Sequence, residues 1–309
     1  MPTLRALVEA GGIDPKRDFR GADLRGWPLG GQDVTGFNFT DANLCGTGIE
    51  NAIYDGTTIF DNALFDEGIE PALPPPPPKD YLERAREMIL RGKIPPAHWW
   101  PQINRLDFSN TDLADLTPLA QLTALQFLDL MRTEVSDLTP LANLTALESL
   151  DLSGTQVSDF TPLGHLIALR RLDLRRTEVS DLTPLARLTA LQFLDLMRTQ
   201  VSDITPLARL TALKSLDLMG TEVSDITSLA RLTALKSLFL INTQVSDITP
   251  LAQLIALRSL DLSHTYVSDI ATLSAISGLR VTVMTNDRAK VLRATLAAGS
   301  RVRVETPWR

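Results

Sequence analysis

The absences in this sequence narrow its chemistry before any motif is read. One cysteine, Cys45, stands in 309 residues. A lone thiol closes no internal disulfide and builds no cysteine-based metal site, so a reducing compartment fits. The three histidines, His98, His165 and His264, lie far apart. No metal cluster is expected from them, and each is read as structural or solvated. No apolar run approaches the length of a membrane span. The first ten residues lack the apolar stretch of a secretory leader. The expectation is a cytoplasmic protein with no membrane partner. There is no Gly-rich phosphate loop, no H-E-x-x-H and no G-x-S-x-G. The chain is therefore read as not an enzyme, with no catalytic, cofactor or metal residues, no cofactor and no small-molecule substrate.

Charge is present, but unevenly. Residues 1–78 hold 12 acidic and 5 basic side chains, which accounts for the whole net charge of -7. The rest of the chain is neutral overall, and its last 30 residues carry seven basic and two acidic groups. The broad basic footprint of a nucleic-acid binder is missing, and direct nucleic-acid binding is not expected. With 44% hydrophobic and 22% charged residues, the chain has the composition of one that folds.

Repeats dominate what is there. From Leu106 to Ile270 a pattern returns every 22 residues, as in Leu125 to Ala146. Its Leu-x-x-Leu-x-Leu-x-x-Thr block closes at Thr111, Thr133, Thr155, Thr177, Thr199, Thr221, Thr243 and Thr265. A ninth, shortened unit falls around Leu279 to Val283. Leu-x-Leu alternation places Leu128 and Leu130 on one face of a short strand and Asp129 on the other. Val135, Leu138, Leu141 and Leu144 return to the same interior. One unit cannot bury them alone, so the copies must stack and their ends must be capped. In Val-Ser-Asp-Leu-Thr-Pro-Leu, the carboxylate of Asp137 can accept turn N–H groups. Thr139 is read as an N-cap and Pro140 as the first helical residue, with two turns of α or 3₁₀ helix to follow.

These motifs resemble the leucine-rich-repeat family, in the short bacterial class similar to internalins. The resemblance covers about 180 residues. It implies a horseshoe with a parallel sheet inside, short 3₁₀ or α segments on the convex side, and protein ligands on the concave surface. The family usually has Asn where this chain has Thr. Thr can still bond locally, but it offers fewer groups, so a continuous side-chain ladder between coils is not expected.

A second pattern has a period of five: Phe19, Leu24, Leu29, Val34, Phe39, Leu44, Ile49, Tyr54, Ile59 and Leu64. Ala22, Ala42 and Ala52 stand two positions before several of them. Ala22-Asp23-Leu24-Arg25-Gly26 and Ala42-Asn43-Leu44-Cys45-Gly46 resemble pentapeptide repeats, whose fold is a right-handed, four-sided β-helix. Trp27, Gln32 and Phe37 break the small-residue rule, so the first coils are expected to distort. The whole is read as a β-rich repeat solenoid of α/β horseshoe type. The pentapeptide β-helix takes 1–67, a proline-rich spacer with Pro74 to Pro78 takes 68–78, and a helical cap takes 79–104. The leucine-rich solenoid takes 105–285 and a C-terminal cap 286–309. Tyr81, Leu82, Ala85, Met88 and Ile89 form one stripe of the first cap's helix, and Gly92 stops it. Val302 and Val304 are placed on a last strand.

The natural binding face is the outward row of the strands. Asp129, Asp151, Asp173, Asp195 and Asp217 recur there, with Phe239 replacing the next one. Carboxylates on neighbouring strands about 4.8 Å apart repel by up to about 1 kcal/mol in water. Such a row calls for local cations or a basic partner. Arg171 and Arg175 are expected beside it, with Arg132, Arg176, Arg198 and Lys214 near. Phe127, Phe193, Phe239, Met131 and Met197 are expected exposed on the same face, as interface anchors are. Units 125–146 and 191–212 are nearly identical, so plain duplication also accounts for the Asp row. The functional reading is a non-catalytic scaffold that binds a basic or mixed-charge protein on the concave face. The alternative is an acidic nucleic-acid mimic acting through residues 1–78 on a DNA-handling enzyme, since some pentapeptide-repeat proteins are acidic, duplex-like rods.

Overall fold

The computed structural model describes residues 4, 6, 14, 15, 19–54, 58–60, 62–67 and 78–306. The proline spacer up to residue 77 and the His98 side chain lie outside the described residues. Contacts divide the chain into two units, Met1–Arg84 with Pro95–Gln102, and Ala85–Ile94 with Ile103–Arg309.

The second unit is built from three-residue strands. They are β1 (Arg105–Asp107), β2 (Phe127–Asp129), β3 (Ser149–Asp151), β4 (Arg171–Asp173), β5 (Phe193–Asp195), β6 (Ser215–Asp217), β7 (Ser237–Phe239), β8 (Ser259–Asp261), β9 (Arg280–Thr282) and β10 (Arg303–Glu305). They pair in parallel, in chain order, as one open ten-stranded sheet. The register sets each residue against its counterpart one repeat on: Leu128 faces Leu150, and Asp129 faces Asp151. The shortened ninth unit pairs Leu260 with Val281. Alternation decides which way the side chains go. The middle residue of each strand, Leu in β1 to β8 and Val in β9 and β10, turns inward, and its two flanking residues turn outward. In the unit 125–146, Leu125, Leu128, Leu130, Val135, Leu138, Leu141 and Leu144 are all buried. Each such side chain stabilises by roughly 1.5–3 kcal/mol before its lost entropy is counted.

The return path differs from the sequence reading in two ways. Its 3₁₀ segments run three to five residues, such as Thr139–Leu141 and Thr183–Arg187, about one turn where two were expected. The leucines before and after it must both reach one interior, which leaves no room for a longer helix. Thr139 is also not the side-chain cap. The Asp137 Oδ1 accepts the Thr139 N–H at 2.8 Å, and Asp181 and Asp203 repeat this on Thr183 and Thr205. A carboxylate two residues back spans the intervening residue, and in two later repeats the threonine hydroxyl itself donates to it, Thr227 to Asp225 and Thr249 to Asp247. The bonds from Thr139 hold the Asp137 carboxyl below the usual carboxylate range.

The repeated Thr of the strand block bonds locally, as its chemistry implied. Thr133 Oγ1 donates to the Leu130 carbonyl, and Thr177 Oγ1 to that of Leu174, each at 2.7 Å and each buried. Helix α1 (Tyr81–Leu90) buries Ala85 and Ile89. It ends at Gly92, whose φ of 68° lets the Gly92 and Lys93 N–H groups bond back to Ile89 and Met88. Helix α2 (Asn286–Thr295) is capped by Thr285, which accepts the Arg288 N–H. Arg303 N–H and Glu305 carbonyl both bond toward β9, so the Val304 carbonyl faces the open edge of β10. Arg293 donates to that carbonyl, which blunts an edge that would otherwise invite another strand.

In the first unit the chain coils on itself through parallel bridges such as Asp23 to Asn43 and Asp33 to Ile53. Phe19, Leu24, Leu29, Val34, Phe39, Leu44 and Ile49 are buried. Phe37, expected to distort the coil, is instead taken into the core, stacked on Phe19 at 5.2 Å. The phase of the pattern then changes. Ile59 and Leu64, expected inside, are 40% and 58% exposed, and Phe60 and Phe65 pack on the core in their place. The bridges explain this: Asp33 meets Ile53, 20 residues on, but Asn38 meets Ile59 and Asn43 meets Leu64, 21 on. One added residue moves every later side chain one place.

Thr177→Val keeps the shape of this buried side chain and removes its hydroxyl. It should lower stability by about 1 kcal/mol, whereas Thr189→Val, on an exposed threonine, should change nothing measurable. Urea unfolding of both variants checks this.

Candidate functional site

The solvent face of the sheet carries three rows of side chains, fixed by the in-register strands. The first row is the first residue of each strand, including Arg105, Phe127, Arg171 and Phe193. The second holds Asp129, Asp151, Asp173, Asp195 and Asp217, then Phe239. The third follows the next buried Leu and includes Met131, Arg175 and Met197. The expected residues therefore do share one face.

Each carboxylate of the second row also has a structural task that the sequence reading missed. Its Oδ1 accepts the N–H two residues on: Asp129 from Met131 at 2.9 Å, Asp151 from Ser153 at 2.8 Å, Asp195 from Met197 at 3.0 Å, Asp217 from Met219 at 2.8 Å. This closes the turn that leaves the strand. It gives a physical reason for Asp at this position in seven of the eight full units, with no partner required. The second oxygen is left for other partners, and Asp173 and Asp195 turn theirs to Arg175. Turn-forming Asp is a known local habit, and the two-residue spacing to the next N–H was the available signal.

The cations sort themselves sharply. Arg175 lies between two carboxylates, with Nη2 2.6 Å from Asp173 Oδ2 and Nε 3.4 Å from Asp195 Oδ2. Arg171 lies over the Phe193 ring, 4.5 Å from its centroid. Lys214 bonds Gln192 Oε1 at 2.8 Å. Arg132, Arg176 and Arg198 occupy left-handed turn positions. Sequence reading missed Arg105, which sits over Phe127 at 5.8 Å. Its signal was the same one-repeat offset that relates Arg171 to Phe193.

Exposure also differs from the expectation. Phe127 and Phe193 are 40% and 36% exposed, but Phe239, Met131 and Met197 are half-buried. Long side chains on strands this close cover one another. Between β3 and β7 the face dips into a trough of 250 Å³ lined by Asp173, Phe193, Asp195, Asp217 and Phe239. His165 and His264 are exposed, and Trp99 is buried. Among the described residues, no group of three or more His, Cys, Asp or Glu is arranged to hold a metal ion. No helix among them is long and apolar enough to cross a membrane.

The trough has an electrostatic consequence. Burial, and then the charges of Asp217 and Asp173, push the Asp195 carboxyl up to about 6, against the pull of the Met197 N–H and of Arg175. Burial also raises Asp217 and Asp129.

No family model and no curated protein matches the sequence. Among solved structures, the chain is similar to internalin C2 of Listeria monocytogenes at 34% identity and a TM-score of 0.62, over 66% of this chain and 92% of that one. It is similar to a second L. monocytogenes internalin, InlF, at 26% identity and a TM-score of 0.56, over 76% and 78%. A leucine-rich-repeat protein of Leptospira interrogans shares the fold at 18% identity and a TM-score of 0.54, over 68% and 62%. The chain belongs to the leucine-rich-repeat family.

A carboxyl raised above its ordinary value favours the folded state when protonated and loses that advantage as pH climbs through about 6. Asp195→Asn keeps the oxygen that accepts the Met197 N–H and removes the charge. It should stabilise the protein by about 1 kcal/mol at pH 7.5 and by much less at pH 4. Urea unfolding at both pH values checks it, and equal effects at the two would contradict this account of Asp195.

Proposed function

We propose that this protein is a non-catalytic scaffold that binds a basic or mixed-charge protein on the strand face, the concave side of a leucine-rich-repeat horseshoe. The carrying observation is the pair of exposed rings, Phe127 and Phe193, set on in-register strands beside carboxylates that the turn bonds hold in place. Aromatic anchors ringed by polar groups are what protein interfaces use. A strand face also holds them without the entropy cost of ordering a loop. The similarity to internalins supports an interaction role in general.

The same reading extends to the finer assignments. The units resemble the 22-residue bacterial class. The first unit, with its bridges 20 and 21 residues apart, reads as a pentapeptide coil. Residues 79–104 and 286–309 read as caps. A cytoplasmic location goes with this picture, and so does a bacterial origin. The nucleic-acid-mimic reading gains no specific observation.

The test is affinity capture from host lysate with the full chain and with a variant carrying Phe127→Ala, Phe193→Ala, Asp129→Asn and Asp195→Asn. The asparagines keep the turn bonds, so the fold stays. A protein held by the wild type, released by moderate salt and lost to the variant is the expected result. Equal capture by both would move the binding site off the strand face.

A further inference from the structure

The strand face presents its candidate anchors twice. The block of three repeats at 103–168 recurs at 169–234. The outward residues that open β1, β2 and β3 are Arg105, Phe127 and Ser149, and those that open β4, β5 and β6 are Arg171, Phe193 and Ser215. The register sets each Phe between its Arg on one side and its Ser on the other. In both copies the guanidinium covers the ring, at 5.8 Å and 4.5 Å. The small serine leaves the opposite flank of each ring open. The result is two equivalent steps, each able to seat one apolar side chain.

The two copies differ in charge. In the second, Arg175 fills the place between Asp173 and Asp195. In the first, the equivalent residue is Ser109, between Asp107 and Asp129, and Asp129 has no ion-pair partner among the described residues. Arg86 and Arg105 act on Asp107 from nearby, but the second copy sets one of its own cations between the two carboxylates, where the first copy has Ser109.

We infer that the strand face takes an extended segment of a partner protein lying across the strands. Two apolar side chains of that segment seat beside Phe127 and Phe193, and a Lys or Arg reaches the carboxylates of Asp107 and Asp129. This rests on the strand-face reading above and adds the shape of the ligand. The steps are three strands apart, about 14 Å at ~4.8 Å per strand. An extended chain advances about 3.4 Å per residue, so the two anchors fall four positions apart. Side chains four apart in an extended chain point the same way, as both steps require.

Random dodecapeptides displayed on phage, selected on the immobilised full chain, supply the probe. Enriched sequences should carry apolar residues four apart with a Lys or Arg near one of them. The best of these, made as a synthetic peptide, should lose at least about tenfold in affinity on Phe127→Ala and again on Phe193→Ala. Ser109→Arg, which fills the empty cation place, should weaken it as well. Removing one residue between the anchors should cost as much as losing one Phe. Melting curves show that each variant stays folded. A peptide that needs Phe193 and Asp195 but is indifferent to Phe127 overturns the two-step geometry and leaves the strand face as the binding surface. Peptides indifferent to all these changes, or no enriched peptide at all, overturn both.

Discussion

Everything in the second unit depends on the stacking of leucines in register. Leu128 lies against Leu150 on one side and Leu106 on the other, and the same contact runs to the end of the array. A three-residue strand has little hold of its own. It is kept in place because the interior accepts its middle residue only at one height and one phase. The outward rows follow from this without further design. If Leu106, Leu128 and Leu150 align, then Arg105, Phe127 and Ser149 must align too, and so must Asp107, Asp129 and Asp151. The outward rows are the reverse side of the core.

That constraint also explains how a row of like charges is tolerated. Each carboxylate spends one oxygen on the turn N–H two residues later, which fixes its direction. Arg175 sits between two of them and relieves part of the remaining repulsion, yet burial and neighbouring carboxylates still hold Asp195, and also Asp129, above the usual carboxylate range. On the return path, the row containing Asp137 and Asp181 is exposed and hydrogen-bonded, and its carboxyls shift the opposite way. One residue type in one repeat thus shifts up at Asp129 and down at Asp137, burial deciding the first and hydrogen bonds the second.

Much of this was legible in the sequence because periodicity reports phase. The spacing of Leu125, Leu128 and Leu130 was enough to place the strands, the interior and the outward Asp row. Legibility failed where several residue types satisfy the same rule. Ile59 and Phe60 are both apolar, and only a register that gains one residue decides that Phe60 turns inward. Asp137 and Thr139 are both good capping residues, and only the backbone path gives the role to Asp137. Of several arginines near the Asp row, Arg175 alone pairs with it among the described residues, which depends on a side-chain rotamer rather than on spacing. The exposure of Phe127 and Phe193 was foreseen. The half-burial of Met131 and Met197 was not, because it comes from mutual cover between neighbouring strands.

The account therefore predicts a molecule whose recognition lies on the strand rows and not on its return path. The most direct test is site-specific photocrosslinking in the host, with a benzophenone side chain placed in the full chain at Phe193 or at Ile255. Ile255 is 69% exposed on the segment that follows a 3₁₀ turn, away from the outward rows. A discrete protein adduct from position 193 and none from position 255 is the predicted result. The same adducts from both positions, or adducts from 255 alone, would contradict the claim that the strand face is the binding surface.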